Sequence, residues 1–193
     1  SNAFLGVINL ISLAHNEASI SVGSQGQRQA SLQWHSQNES ADVELFINTI
    51  NDKGESLAIY DPFKNTSVAS QDPYRYKELH LKVKRPNLAL TLHHNETKTE
   101  DFYVAGFVAN DINHVNSIST FVKMQYEHPL SVDYTLKANG SIMRRRFDTA
   151  SLVSAALPPN ELGLTAEIEE QEPQVELTLD YSGSQGNQAL LGI

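Results

Sequence analysis

The sequence contains no cysteine, a single tryptophan and few basic residues. Without cysteine the chain cannot form a disulfide scaffold, a thiolate metal site or a cysteine nucleophile. Its 14 Lys and Arg residues are outnumbered by 23 Asp and Glu residues, which gives a formal net charge of −9. Because nucleic-acid binding depends on clustered cations that neutralise phosphates, the composition argues against a nucleic-acid partner.

Long apolar runs and enzyme motifs are also missing. No segment is apolar for long enough to cross a membrane as a helix, and none keeps a helical period for three turns. The sequence has no nucleophile elbow, phosphate loop, dinucleotide fingerprint or His-Glu-x-x-His motif. Yet 193 residues, 40% of them hydrophobic, suffice for a packed domain. These features predict a β-rich protein that is not an enzyme and requires no cofactor.

The clearest positive pattern lies between Glu78 and His94. Apolar residues alternate with other residues on both sides of Arg85-Pro86-Asn87, at Leu79, Leu81, Val83, Leu88, Leu90 and Leu92. A period of two on both sides of a turn predicts a β-hairpin with one buried face. If Arg85 pairs with Leu88, the apolar residues of the two strands fall opposite one another, so the pattern also predicts the register.

Similar alternation extends over the first 110 residues. It predicts further strands at 18–22, 30–34, 43–47, 57–60 and 102–108, with a long ordered loop from Asp61 to Tyr76. Short strands with a turn about every ten residues are the pattern expected of an all-β, antiparallel, immunoglobulin-like β-sandwich. The chain matches no named family on these grounds.

The remainder of the chain predicts a second β-rich unit. Asn139-Gly140 is the strongest two-residue turn signal, and it predicts a hairpin that places Asp133 opposite Arg146. Gln171-Glu172-Pro173 predicts a last hairpin between 164–169 and 175–180. We therefore expect two sandwich-like halves, at 15–110 and 116–182, with a flexible tail at 183–193. One larger sandwich is the alternative.

The N-terminal segment bears on cellular location. Ser1-Asn2-Ala3 is typical of the remnant of a removed expression tag. Phe4 to Ala14 is apolar and ends in the small-x-small spacing of a signal-peptidase site, so it is either the end of an export signal or the first element of the fold. With the absence of cysteine and the many Ser, Thr, Asn and Gln residues, it predicts a bacterial periplasmic or cell-surface protein.

Two stretches of the chain resemble each other. Ser21 to Leu32 reads SVGSQGQRQASL, and Tyr181 to Leu191 reads YSGSQGNQALL. Each follows an alternating segment. One interpretation is a tandem array of similar units. The other is chance similarity in a chain rich in Ser, Gly and Gln.

Two cross-strand pairs are candidate metal sites. The predicted register places His80 opposite His93, at a Cβ separation of about 5 Å that allows two imidazoles to share zinc. The predicted last hairpin places Glu167 opposite Glu176, an arrangement that suits calcium, a basic partner, an acid pair for glycoside hydrolysis, or protection of a sheet edge. The alternatives are half-exposed histidines on a polar face and charges that keep an edge from aggregating.

Aromatic residues and an arginine run complete the candidates. A platform for a polysaccharide or peptide is predicted from Trp34, Tyr60, Phe63, Tyr74 and Tyr76; the alternative is a small satellite core under the loop. Arg144-Arg145-Arg146 suits a carboxylate or phosphate, or pairs with local acids such as Asp133 and Asp148.

These observations favour a non-catalytic binding or structural module of an exported bacterial protein, with a protein or polysaccharide partner. A carbohydrate- or metal-binding module is the first alternative, and a hydrolase that uses Glu167 and Glu176 is the last.

Overall fold

The structure, a computed structural model, describes residues 16–61, 65–104, 107–108, 112–154, 162–182 and 188–192. Thirteen strands and one 3-10 turn, Ser24–Gly26, account for most of them. The strands are β1 Glu17–Val22, β2 Arg28–Gln37, β3 Asp42–Asp52, β4 Leu57–Asp61, β5 Thr66–Ser70, β6 Tyr74–Arg85, β7 Leu88–Glu100, β8 Tyr103–Val104, β9 Phe107–Val108, β10 His114–Pro129, β11 Tyr134–Ser154, β12 Leu162–Ser182 and β13 Gln188–Gly192. The predicted all-β, antiparallel fold class is confirmed.

Nine strands form one large antiparallel sheet in the order β1-β2-β3-β6-β7-β10-β11-β12-β13. Two short hairpins, β4–β5 and β8–β9, form separate small sheets, and β9 approaches β4, β5 and β11. A large sheet with small accompanying sheets is consistent with an all-β sandwich. The described residues contain no helix that is long and apolar enough to cross a membrane.

The β6–β7 hairpin forms with the predicted register. Arg85 pairs with Leu88, Leu81 with Leu92 and His80 with His93 around the turn at Pro86-Asn87. The register follows from the side-chain period of two, because a shift by one residue would move every leucine to the other face. Strands β3 and β10 flank this hairpin, so it lies near the centre of the sheet.

The two hairpins predicted beyond residue 116 are wrong. Asn139-Gly140 lies inside β11, paired on one side with β10 and on the other with β12. Gln171-Glu172-Pro173 lies inside β12, which continues to Ser182. A strand of 21 residues that pairs with long neighbours forms many ladder hydrogen bonds, and these outweigh the local preference of a turn dipeptide.

Pro173 is tolerated in β12 because it lies at an edge. The only described strand on the far side of β12 is β13, and it pairs with Thr178–Ser182 alone. Proline cannot donate a hydrogen bond to a sheet ladder, so within sheets it is confined to edge strands, strand starts and bulges. A proline that indicated a turn in the sequence therefore marks an open stretch of edge strand.

Three smaller predictions also differ from the structure. The segment predicted as a loop, Asp61 to Tyr76, contains strand β5 and the start of β6. The strand predicted at 102–108 is two short strands, Tyr103–Val104 and Phe107–Val108, paired with each other. Within the range predicted as a tail, Gln188–Gly192 pairs with β12. Phe4 to Ala14 lies outside the described residues.

The large sheet continues across the boundary predicted at 110–116. Strand β7 precedes that segment and β10 follows it, and the two pair from His114↔Glu100 to Tyr126↔Leu88. The division of the chain into two units stays a prediction.

The two similar stretches occupy equivalent positions at opposite ends of the sheet. Val22 pairs with Arg28 where β1 meets β2, and Ser182 pairs with Gln188 where β12 meets β13. The residues between the paired strands read GSQGQ at 23–27 and GSQGN at 183–187. The same five-residue spacing in two edge hairpins favours a repeated hairpin sequence over chance similarity.

Candidate functional site

One face of the large sheet, here called the leucine face, carries the alternating apolar residues. Side chains of directly paired residues point to the same face, so the registers define a row across seven strands. The row consists of Trp34, Leu45, Leu81, Leu92, Val122, Ile142 and Pro173. Every member is apolar, although the seven residues come from distant parts of the sequence.

Neighbouring rows extend the apolar surface towards the Pro86-Asn87 turn. The next row contains Ser36 and then Val43, Val83, Leu90, Met124, Gly140 and Val175, and the row after it contains Arg85 and then Leu88, Tyr126, Ala138 and Leu177. Met124 is 50% exposed and Val175 is 84% exposed. Among the residues whose side-chain burial the structure describes, only Ser70, Asn113 and Thr178 are buried, and none of the three belongs to the apolar rows of the leucine face, so no described segment covers these rows.

The leucine face turns polar in the opposite direction along the strands. Beyond Leu92, strand β7 presents His94, Glu96, Lys98 and Glu100 on this face. Ion pairs join Lys77 to Glu96 at 3.0 Å and Lys98 to Glu100 at 2.6 Å, and Nε2 of His114 lies 2.7 Å from Oδ1 of Asp148 in a hydrogen bond. Both signs of charge are present and paired, so this charged band carries no strong field of one sign.

Tyrosines mark the other limit of the apolar surface. Tyr134 and Tyr181 pair on the leucine face near the ends of β11 and β12, whereas Tyr126 lies two rows earlier, opposite Ala138. The rings of Tyr134 and Tyr181 lie 4.9 Å apart between centroids. The face is thus divided along the strands into a tyrosine border, an apolar band and a charged band.

The arginine run and the acidic run neutralise each other on β11 and β12. Arg144 binds Glu169 with an Nη2–Oε1 distance of 2.5 Å, and Arg146 binds Glu167 at 3.1 Å. Arg145 binds Glu170 at 3.4 Å on the opposite face. The predicted pairing of Arg146 with Asp133 is wrong, because the hairpin that required it does not form. The run is therefore paired within the sheet.

The opposite face, here called the histidine face, carries His80 and His93. Their rings lie 6.0 Å apart between centroids, edge to face. The Glu78 carboxylate accepts a hydrogen bond from the Tyr76 hydroxyl at 2.9 Å, and its other oxygen lies 3.1 Å from Nε2 of His93. Burial, and then the hydrogen bond to Glu78, raise the pKa of Tyr76 to about 12.

This histidine cluster does not have the geometry of a metal site. No three His, Asp or Glu side chains within the described ranges are placed to hold a metal ion. The register that brings His80 and His93 together is confirmed, but Glu78 engages His93 as a hydrogen-bond partner. Zinc usually needs three or four protein ligands, and this pair supplies two.

The predicted carboxylate pair is wrong. Glu167 and Glu176 lie on the same strand, nine residues and therefore about 30 Å apart. Glu167 shares the leucine face with Arg146, while Glu176 accepts a hydrogen bond from Asn139 at 3.3 Å on the histidine face. An acid pair for hydrolysis, or a shared calcium site, needs both carboxylates within a few ångströms.

The predicted aromatic platform is divided. Trp34 lies on the leucine face, whereas Tyr74 and Tyr76 stack on the histidine face with centroids 6.5 Å apart. Tyr60 lies in β4, where its hydroxyl donates to Asn65 at 2.6 Å. Phe63 lies outside the described residues. The structure therefore does not bring Trp34 together with the tyrosines.

Sequence reasoning missed the leucine face as a site, because alternation identifies the apolar side of a strand and does not say whether another segment covers that side. The sequence did contain a signal for this face. Ranges far apart in the chain, such as 43–47 and 136–142, share the same alternation of apolar residues with other residues. No protein-family model matches the chain, and neither a curated protein nor a solved structure is similar to it.

Proposed function

We propose that this chain is a non-catalytic binding module of an exported bacterial protein and that it binds its partner through the leucine face. The observation that carries the proposal is the row of seven apolar side chains from Trp34 to Pro173, which no described segment covers. Monomeric soluble proteins rarely expose contiguous apolar patches larger than a few hundred Å². A surface of this kind is a binding site.

The size of the apolar band supports this proposal. Seven strands spaced about 4.8 Å apart make the central row about 30 Å wide, and three rows about 7 Å apart give an area of several hundred Å². An interface of standard size buries about 800 Å² on each partner. The band is therefore of the right order to hold a partner by apolar contact alone.

Two further features support a binding role over catalysis. Glu167 and Glu176 face opposite sides of the sheet, which removes the acid pair on which the hydrolase hypothesis depended. The arginine run is paired with glutamates in the sheet and is not held ready for a substrate.

A fluorescent probe of apolar surface tests the proposal on the folded protein. We expect anilinonaphthalene sulfonate to bind the native protein, and Met124→Glu to reduce that binding severalfold because the new charge lies within the apolar band. Gln125→Glu adds the same charge on the histidine face and is the matched control. Near-ultraviolet circular dichroism must stay native-like throughout, because loosely packed states also bind this probe.

The proposal would be contradicted if the native protein failed to bind the probe, or if both variants lost binding equally. Export is tested separately by fractionating bacterial cells that express the natural gene. We expect the protein in the periplasmic or envelope fraction, and recovery in the cytosol alone would contradict export.

A further inference from the structure

We infer that two copies of the chain pair edge to edge through strand β1, around a two-fold axis at Ile20, and so join their nine-stranded sheets into one. This contact goes beyond the proposed function, because it uses the backbone edge of the sheet and not the apolar band. The inference is carried by the contrast between the two edges of the sheet and by the self-complementary sequence of β1.

The β12 edge has the features by which proteins keep a sheet edge from pairing with another sheet. Pro173 interrupts its row of backbone donors. Five glutamates lie along the same strand, at Glu167, Glu169, Glu170, Glu172 and Glu176. Proline and charged side chains are common means of protecting an edge, and two such strands side by side would bring like charges together. The β12 edge is therefore protected against pairing with its own copy.

The β1 edge lacks these features. Strand β1 reads EASISV, without proline, lysine or arginine, and it pairs with β2 in an unbroken register from Glu17 to Val22. No described strand pairs with the outer side of residues 18–22. Ile20 is 86% exposed and Val22 is 76% exposed. An unprotected edge with exposed β-branched side chains is a ready template for a further strand.

The sequence of β1 complements itself when two copies run antiparallel around Ile20. In this register Ile20 faces Ile20 of the second copy, and Ala18 faces Val22 on the same side of the sheet. On the other side of the sheet Ser19 lies opposite Ser21. Apolar side chains therefore meet apolar side chains, hydroxyls meet hydroxyls, and no like charges are opposed within the ladder. These preferences favour a second copy as the occupant of this edge.

The same register joins the apolar surfaces of the two copies. Ala18 pairs with Leu32, and Leu32 pairs with Ile47, so all three side chains lie on the leucine face. A two-fold axis perpendicular to the sheet keeps both leucine faces on one side, where these residues approach their counterparts. A closed two-fold contact also leaves no β1 edge open to further strands.

The short ladder sets the expected strength of the contact. Only residues 18–22 of each copy pair, which places the interface at the small end of the range for specific protein contacts. We therefore expect a reversible dimer, with a dissociation constant on the order of 10–100 μM.

A single cysteine tests the register directly, because the sequence has no other cysteine. In the dimer Ile20→Cys places two thiols face to face, at a Cα separation of about 4.5–5.5 Å that a disulfide spans. We expect mild oxidation to convert this variant to a covalent dimer. Ile168→Cys is the matched control, because Ile168 is a 58% exposed isoleucine on the protected β12 edge and should crosslink only by chance collision.

Charged substitutions give a second test, by sedimentation velocity over a range of protein concentrations. Ile20→Lys opposes two like charges across the axis and should weaken association by roughly tenfold or more. A mixture of Ile20→Lys with Ile20→Glu should regain the dimer, because opposite charges then face each other. Ile168→Lys should associate like the unmodified protein. Ile20 is 86% exposed, so its substitution removes little packing within the sheet.

Three outcomes would overturn the edge pairing. The first is a protein that stays monomeric up to about 1 mM, well above the expected dissociation constant. The second is equal crosslinking of Ile20→Cys and Ile168→Cys, and the third is a mixture of Ile20→Lys with Ile20→Glu that does not associate. Crosslinking through Ser19→Cys in place of Ile20→Cys would overturn the register around Ile20.

The binding face and the edge can fail separately. A dimer that Met124→Glu dissociates and Ile20→Lys leaves intact would mean that the second copy binds through the leucine face, so that the edge inference is wrong and the proposed function stands. A monomer that binds the apolar probe in a Met124-dependent way would also overturn the edge pairing alone. A dimer that Ile20→Lys dissociates, in a protein that does not bind the probe, would support the edge pairing and contradict the proposed function.

Discussion

The β6–β7 hairpin and the middle of β11 both contain a two-residue turn signal, and only the first makes a turn. Pro86-Asn87 reverses the chain between two strands whose apolar residues match only in that register. Asn139-Gly140, the stronger signal, continues straight between β10 and β12. A turn dipeptide permits a reversal, and the partners available to the flanking residues decide whether it occurs.

The flanking residues explain the difference. Around Pro86-Asn87, a reversal pairs Val83 with Leu90 and Leu81 with Leu92, so local pairing satisfies the apolar pattern. Around Asn139-Gly140, a reversal would pair residues of the same strand with each other and leave β10 and β12 without their shared neighbour. The longer ladders formed by the extended strand therefore prevail.

Engineered cysteine pairs give the largest expected effect, because this chain of 193 residues has no cysteine of its own to interfere. We expect Ala138→Cys with Leu177→Cys to form a disulfide on oxidation, since these residues face each other across β11 and β12. Leu136→Cys with Met143→Cys should not, because seven residues along one strand separate them by about 23 Å. Electrophoresis under non-reducing conditions after limited proteolysis distinguishes the two.

Leu81→Cys with Leu92→Cys is the positive control, because the β6–β7 hairpin places this pair face to face. Crosslinking of Leu136→Cys to Met143→Cys in place of the first pair would show that Asn139-Gly140 is a turn after all.

Valine substitutions at the two turn signals should change stability in opposite directions. Gly140→Val should raise the free energy of unfolding by about 0.5–1 kcal/mol, because glycine weakens an extended strand and the space around Gly140 is open. Asn87→Val should lower it by a similar amount, because a β-branched residue suits a turn poorly. Urea denaturation of both variants measures the difference. A loss of stability in Gly140→Val would instead indicate a turn with positive φ at that position.

The smallest expected effect concerns the partner of Arg146. A double-mutant cycle between Arg146→Ala and Glu167→Ala should give a coupling energy of roughly 0.2–0.5 kcal/mol, since both side chains are more than half exposed. A cycle between Arg146→Ala and Asp133→Ala should give no coupling energy. The coupling energy should be measured at low salt, because dissolved salt screens the attraction between exposed charges. Coupling to Asp133 in place of Glu167 would contradict the β11–β12 register.

Part of the leucine face could be predicted from the sequence. The alternation in Glu78–His94 predicted which residues share a face, the register of the hairpin and the proximity of His80 to His93, all of which the structure confirms. These features follow from residues that are close in the sequence and from the side-chain period of two, so they can be predicted without knowing any tertiary contact. The carboxylate pair and the aromatic platform required knowledge of which distant strands meet, and there the predictions were wrong.

By itself, the sequence determined that the chain is an antiparallel β protein, that the two strands within Glu78–His94 each have one apolar side, and that one hairpin closes at Pro86-Asn87. Only the tertiary structure decided that Asn139-Gly140 and Pro173 lie within strands, that the two charged runs meet, and that seven apolar side chains form one row. The physical reason is the distance along the chain over which each interaction acts. Alternation and turn residues act over a few positions. The pairing of 21-residue strands instead sums many hydrogen bonds between segments that are far apart in the chain.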